Sequence, residues 1–309
     1  MEQDQEILET QLEPILKYFD DETVIEIMLK ADGSVIVESF KNGMHVVPER
    51  IEEPQKEIIA RILAHQEEKK ILFQNYSMGA KFHGCRVHLI TPPVSPDGTV
   101  INFRIPPRLN PTLDDYVANG LLVPEQAEYL REIVAARKNI VICGGTGSGK
   151  TTLLRALLLL IPDDCERHIY VVEDNQEINL KHIRNKTQIK TIDQIYTYQQ
   201  AVRDALRMRP DSIIFGELRD GSAYDLLKAW NTGHSGGFCT IHANSATEAI
   251  DRLVQLAEES VMNASKQMIV SAIDLIIYME KSKGKFSVKE IIEPISWDGT
   301  SVSVKKIRG

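Results

Sequence analysis

The stretch Gly144-Gly-Thr-Gly-Ser-Gly-Lys-Thr151 satisfies the pattern GxxxxGK[ST] at every fixed position. Its context fits as well: the apolar run "NIVICG" precedes it and a helix-forming run, "TTLLRALLLL", follows. Such a loop handles triphosphates for simple reasons. Glycines let successive backbone N–H groups turn toward phosphate oxygens, the lysine ammonium reaches the outer phosphates, and the threonine hydroxyl ligates Mg2+. Gly145, Thr146, Gly147, Ser148, Gly149, Lys150, Thr151 and Thr152 are therefore the expected contacts of bound ATP, with Thr151 also a metal ligand.

Two further apolar runs end in acids. "YVVEDNQEINL" sets Glu173, Asp174 and Glu177 after one strand, and "SIIFGELRD" closes in Gly216-Glu217. The aspartate that often closes the second strand in nucleotide hydrolases is missing there. Acids at the C-terminal ends of parallel strands face the crevice where ligands bind. Glu173 and Glu217 can thus divide two tasks, polarising water and steadying the metal shell. Glu217 is favoured for the water and Glu173 for the metal, and the reverse assignment stays open. The plain alternative for Glu217 is an ion pair with Arg219.

"GHSGGFCTIHANS" brings His234 and His242 to either side of a short strand, and His242 closes it on the same crevice edge as Glu217. Arginines complete the set. Arg203 and Arg207 lie four apart on an expected helix, and Arg86 and Arg104 lie on N-terminal strands. Guanidinium suits the charge of a transferring phosphoryl group and can come from a neighbouring subunit. Surface ion pairing is the simpler account of any single one.

These groups need elements that hold them. From Asn139 onward, "NIVICG", "HIYVVED", "SIIFGE" and "FCTIHA" alternate with helical stretches, which implies a parallel sheet covered on both faces. The N-terminal part reads differently. Ile7, Leu8, Leu12, Ile15, Leu16 and Phe19 predict an amphipathic helix, and "TVIEIMLK" predicts a strand. "SVIVESF" and "MHVVPER" form a hairpin across Asn42-Gly43, and "EPQKEIIARILAHQ" is a helix with Pro54 in its first turn. "CRVHLITPPV" and "TVINFRIPPR" add two strands. The prolines of Pro106-Pro-Arg-Leu-Asn-Pro111 interrupt both helix and strand, so a linker is expected there. The tail "KFSVKEIIEPISWDGTSVSVKKI" reads as two strands turned at Asp298-Gly299. The expected organisation is a domain over 1–108, a linker over 109–123 and a nucleotide-binding domain over 124–309.

The 309 residues carry a formal net charge of -8, which speaks against a dedicated nucleic-acid surface. Four scattered cysteines without a CxxC pair argue against a zinc site and for a reducing cytosol. The longest apolar run, Ala156–Ile161, is too short to span a bilayer, and the acidic start lacks the pattern of a signal peptide. A cytoplasmic protein with at most peripheral membrane contact is expected.

Taken together, "GGTGSGKTTL", "VVEDNQE", "RPDSIIFGELRD" and "GHSGGFCTIHA" resemble the four boxes of the secretion and traffic ATPases, in order and approximate spacing. "VIEIMLKADGSVIVE", "LDDYV" and "LLKAWNTGHSGG" bring the resemblance closest to the TrbB-type ATPases of conjugative transfer and type IV secretion, over nearly the whole chain. The resemblance implies a PAS-like α+β N-terminal domain before a RecA-like α/β domain. It also implies a homo-hexameric ring that meets secretion or conjugation components at the cytoplasmic face of the bacterial inner membrane. On this pattern Lys150 and Thr151 are the phosphate-loop pair, Glu173 the acidic-box glutamate and Glu217 the Walker B glutamate. His234 and His242 are the histidine box. Gly216, where an aspartate would otherwise stand, is a family feature. Arg86 and Arg104 match arginines that reach the phosphates, with Arg108 a weaker addition. "NFRIPPR" lacks the lysine or serine that relatives usually carry soon after the arginine. The implied action is ATP-driven domain motion, with ATP held between the domains. A pilus retraction or type II-like secretion motor is the near alternative. A nucleotide-gated scaffold, a DNA-dependent RecA-like motor and a small-molecule kinase are more distant ones.

Overall fold

The computed structural model describes residues 2–39, 42–67, 76–106, 108, 110–163, 165–282 and 285–307. Phe40 and Lys41 of the expected hairpin, and Pro107 and Leu109 of the proline-rich stretch, lie outside the described residues. The chain divides into two compact units, the second starting at Asn110.

The first unit opens with α1 (Glu2–Leu12), a single 3-10 turn over Glu13–Ile15 and α2 (Leu16–Asp20). The one expected helix is therefore two, because Pro14 sits at the break, where its ring cannot donate a backbone hydrogen bond. Six strands follow: β1 (Val24–Leu29), β2 (Ser34–Ser39), β3 (Gly43–Arg50), then after α3 (Glu53–Gln66), β4 (Ser77–Phe82), β5 (Cys85–Ile90) and β6 (Val100–Arg104). Their order is β3-β2-β1-β6-β5-β4, with antiparallel pairing throughout. Alternate residues such as Ile27, Leu29, Val35, Val37, Val87, Leu89, Ile101 and Phe103 form one buried face. Leu8, Leu12, Ile15 and Phe19 from the opening helices and Ile59 and Leu63 from α3 close over it. Lys56 is fully buried yet satisfied: its ammonium donates to the carbonyls of Lys30 and Ala31 at 2.8 and 2.9 Å and pairs with Glu53 at 2.9 Å. That contact pins α3 to the β1–β2 turn.

The second unit starts with α4 (Leu113–Ala118) and α5 (Pro124–Ala135). The stretch expected as a linker over 109–123 packs largely with this unit. Leu113, Tyr116 and Leu122 are buried in this unit's own core. Thr112 supplies the physical reason, capping α4 with its hydroxyl and giving the chain a helix directly after Pro111. The remaining elements alternate: β7 (Ile140–Gly144), α6 (Lys150–Leu158), β8 (Ile169–Glu173), β9 (Lys186–Lys190), α7 (Tyr198–Ala205), β10 (Ser212–Phe215), α8 (Ser222–Asn231), β11 (Phe238–Ile241), α9 (Ala246–Glu258) and α10 (Lys266–Ser271). β12 (Leu275–Ser282), β13 (Lys285–Trp297) and β14 (Val302–Lys306) complete the sheet, in the order β14-β13-β12-β7-β11-β10-β8-β9.

Neighbours from β12 through β7, β11, β10 and β8 to β9 pair in parallel, and β13 pairs antiparallel with β14. The apolar runs are continuous because both faces are covered. Ile140, Ile142, Ile169, Val171, Ile214 and Phe238 pack on the α4–α6 side. Val141, Cys143, Tyr170, Val172, Ile213 and Phe215 pack on the α7–α10 side. This is the α/β arrangement expected for a RecA-like domain, and it follows a smaller α+β unit in the sequence. Among the described residues, no helix is long and apolar enough to cross a membrane.

Candidate nucleotide site

Four neighbouring strands, β7, β11, β10 and β8, end on one edge of the sheet, and each end delivers part of the site. β7 leads into the phosphate loop. Gly144 has φ +155° there, and a Cβ would strike the Met279 carbonyl and the Ser148 hydroxyl. Gly147 and Gly149 take left-handed φ values of +65° and +90°, which let the loop reverse into α6. The N-terminus of α6 has no side-chain cap, so its dipole faces the loop open to an anion. A Cβ on Gly145 or Gly147 would meet nothing within 4 Å, so the rim is roomy. The Ser148 hydroxyl is buried and has no hydrogen-bond partner among the described residues, an acceptor or donor left for something else. Thr146, Thr151 and Thr152 border the same turn. The residues present therefore fit a triphosphate.

Lys150 is buried, and its ammonium donates back to the carbonyls of Gly144 at 3.0 Å and Gly145 at 2.7 Å. It also stands 3.5 Å from His242 Nδ1, immediately after β11. His242 Nε2 is 2.9 Å from Glu217 Oε1. An ammonium only donates, so the partners dictate the tautomer: Nδ1 faces the lysine as acceptor and Nε2–H donates to the carboxylate. Burial, helped by the Lys150 charge, holds the His242 pKa below its ordinary value against the pull of Glu217.

The plain alternative for Glu217 is present in the structure. Arg219 Nη2 donates to Glu217 Oε2 at 2.7 Å, and Nη1 of the same guanidinium reaches Asp174 at 3.0 Å. Both oxygens of Glu217 are thus engaged, and a chain of contacts runs Lys150–His242–Glu217–Arg219–Asp174. Burial raises the Glu217 pKa, but the Arg219 hydrogen bond and charge, with His242 and Lys150 beside it, bring it below the usual glutamate value. In the sequence Arg219 is marked only by its spacing of two residues from Glu217, and nothing there signals its bridge to Asp174.

Glu173, at the end of β8, behaves in the opposite way. It is 3% exposed, and burial pushes its carboxyl up to about 7, against the backbone N–H groups of Glu177 and Ile178 that donate to Oε1 at 3.0 Å each. The charge of Glu177 lifts the Glu173 pKa further. Among the described residues no cluster of three or more His, Cys, Asp or Glu could hold a metal alone. Mg2+ takes one or two carboxylates together with phosphate oxygens and keeps several waters, and the Thr151 hydroxyl and the Glu173 carboxyl are the groups of the expected set that could serve it.

Other sequence candidates lie elsewhere. His234 sits at the opposite end of β11: its Nδ1 is 2.7 Å from the Pro210 carbonyl, just before β10 begins. Four strand residues separate the two histidines of the box, so only His242 reaches the site edge. Arg207 lies beyond the end of α7, so it does not share a helix face with Arg203, and it pairs with Asp204 at 3.6 Å. Arg86 and Arg104 are direct neighbours in the first unit, paired across β5 and β6, and Arg104 is also paired with Glu26 on β1. Arg108 donates to the Asp20 carbonyl at 3.4 Å in that unit.

The family model for type II/IV secretion system proteins matches residues 2–285. The chain belongs to that family. It is 38% identical over 284 residues to the conjugal transfer protein TrbB of Rhizobium radiobacter, covering 88% of this chain and 84% of that one. It is 29% identical to the type IV secretion system protein VirB11 of Bartonella henselae, over 92% of both chains. Among solved structures, the ATPase DotB of Yersinia pseudotuberculosis superposes with a TM-score of 0.70 at 20% identity, over 92% of this chain and 79% of that one. That likeness is one of fold. Family membership and the intact phosphate loop together make the chain a TrbB-type secretion ATPase.

Proposed function

We propose that this secretion ATPase splits ATP with Glu217 polarising the attacking water and Glu173 steadying the Mg2+ shell. The observation that carries the reading is the convergence of the phosphate loop, His242, Glu217 and Glu173 at the ends of four adjacent parallel strands. Mg2+, when bound, draws charge off the β- and γ-phosphates. Lys150 exchanges the carbonyls of Gly144 and Gly145 for outer phosphate oxygens, and the loop N–H groups and the α6 terminus hold the rest. His242 keeps its Nε2–H on Glu217 and fixes that carboxylate. Glu217 Oε2 becomes available to a water when Arg219 turns wholly toward Asp174. Arg86 and Arg104 supply guanidinium charge to the γ-phosphate, from the same chain or a neighbouring copy. Their adjacency on β5 and β6 supports a joint role.

The wider reading is a homo-hexamer on the cytoplasmic face of the bacterial inner membrane, delivering ATP-driven domain motion to a conjugation or type IV secretion apparatus. The conjugal transfer and type IV secretion relatives support it. Glu217→Gln tests the chemistry. It should bind nucleotide normally and turn over about 100-fold slower or worse, the usual scale for a lost general base. Near-normal phosphate release would reassign the base to Glu173.

A further inference from the structure

Gly216 lies one step beyond the Phe215–Val172 pair of β10 and β8. Its N–H continues that ladder by donating to the Val172 carbonyl at 3.0 Å. Its carbonyl accepts the Thr240 hydroxyl at 2.6 Å, so the backbone is held from β8 on one side and β11 on the other. Its φ is not among the left-handed values, and the backbone conformation alone does not ask for glycine. Space does. A Cβ at this position would stand 3.0 Å from Glu173 Cγ and 3.5 Å from Glu173 Oε1.

The direction follows from alternation along the strands. Ile214 and Val171 face the α6 side of the sheet, and Gly216 and Glu173 continue those rows two residues on. A side chain at 216 would therefore point toward the phosphate-loop side, into volume already filled by Glu173. Glu173 has little room to give way, because Glu177 and Ile178 hold its Oε1 and the residue is buried.

We infer that Glu173, reaching across from β8, fills the volume an aspartate at the end of β10 would otherwise take, and that Gly216 is the positioning residue that leaves it that room. The strand-end acid is not lost in this chain; it has moved one strand over. This inference rests on the reading of Glu173 as the metal-shell carboxylate.

The test is Mg2+ titration of binding of a fluorescent, non-hydrolysable ATP analogue to the full chain at pH 8, comparing wild type, Glu173→Gln, Gly216→Ala and the exchange variant Gly216→Asp with Glu173→Ala. Disturbing a group that orients a metal ligand costs about 10- to 100-fold in metal affinity, and Gly216→Ala should lose that much Mg2+ dependence, as Glu173→Gln does. The exchange variant should regain most of it, which general damage to the fold would not allow. If Glu173→Gln keeps wild-type Mg2+ dependence, the metal-shell reading itself falls. If Glu173→Gln loses it and Gly216→Ala does not, only the present inference is overturned. Should Gly216→Ala fail to fold, the exchange variant decides: recovered Mg2+ dependence supports the inference, and its absence refutes it.

Discussion

Replacing Glu173 by glutamine should make the nucleotide-free protein more stable at pH 8 while damaging its function. The folded carboxyl holds its proton up to about 7, because burial disfavours the charge, whereas an ordinary glutamate releases it at 4.5. Ionisation therefore works against folding. The stabilising influence of the protonated group is fully present below 4.5, declines as pH rises, and is gone above about 7. At about 1.4 kcal/mol per tenfold shift, the gap amounts to roughly 3 kcal/mol in the wild type. Glutamine is never charged, and its amide oxygen can still accept the N–H groups of Glu177 and Ile178. The gain is a ceiling, since the new amide N–H group needs a partner of its own. A gain of about 1–3 kcal/mol at pH 8 corresponds to about 2–4 °C per kcal/mol in a unit of this size. Thermal unfolding of wild type and variant without nucleotide, at pH 8 and pH 5, measures it. The advantage should be large at pH 8 and small at pH 5. An equal advantage at both, or a less stable variant at pH 8, would refute the argument that a strained buried carboxyl sits at the end of β8.

Two other variants probe the remaining groups. Arg219→Ala removes the hydrogen bond and charge that hold the Glu217 pKa down, so the acidic limb of the turnover profile should move to higher pH; an unmoved limb would detach Arg219 from the chemistry. Arg104→Ala should leave nucleotide-free stability nearly unchanged, since Arg104 is exposed, yet lower ATP turnover by about 10-fold or more if its guanidinium serves the γ-phosphate; unchanged turnover and ring assembly would end that role.

Much of the second unit could be read before any coordinates, because β7, β8, β10 and β11 are buried on both faces and their sequences are unbroken apolar runs. β9 is less legible. "KTQIK" is partly exposed and lies on the rim of the sheet, so nothing in its pattern demands a strand. β4, "SMGAKF", is faint in the sequence for a related reason: its apolar residues alternate with glycine and polar ones in only six positions. Prolines signal a break but do not say which side owns the residues after it; Leu113 and Tyr116 are buried with the second unit. At the site, strand ends located Glu173, Glu217 and His242, while spacing alone could not tell that a four-residue strand sends His234 to the far edge. Charge states were the least visible. Two glutamates in similar sequence settings differ because one is buried beside other acids and the other sits against the Arg219 guanidinium, with His242 and Lys150 close by.

The two rims of the eight-stranded sheet are polar ribbons, β9 and β14, with exposed Lys190 at the end of one and exposed Lys306 at the end of the other. Unpaired rim strands invite the same strand of another molecule to zip on, and lysines placed there repel it. Copies of this chain brought close together are thereby steered away from pairing along this sheet's rims, and a contact made instead from side chains could slide and part without breaking a ladder of backbone hydrogen bonds.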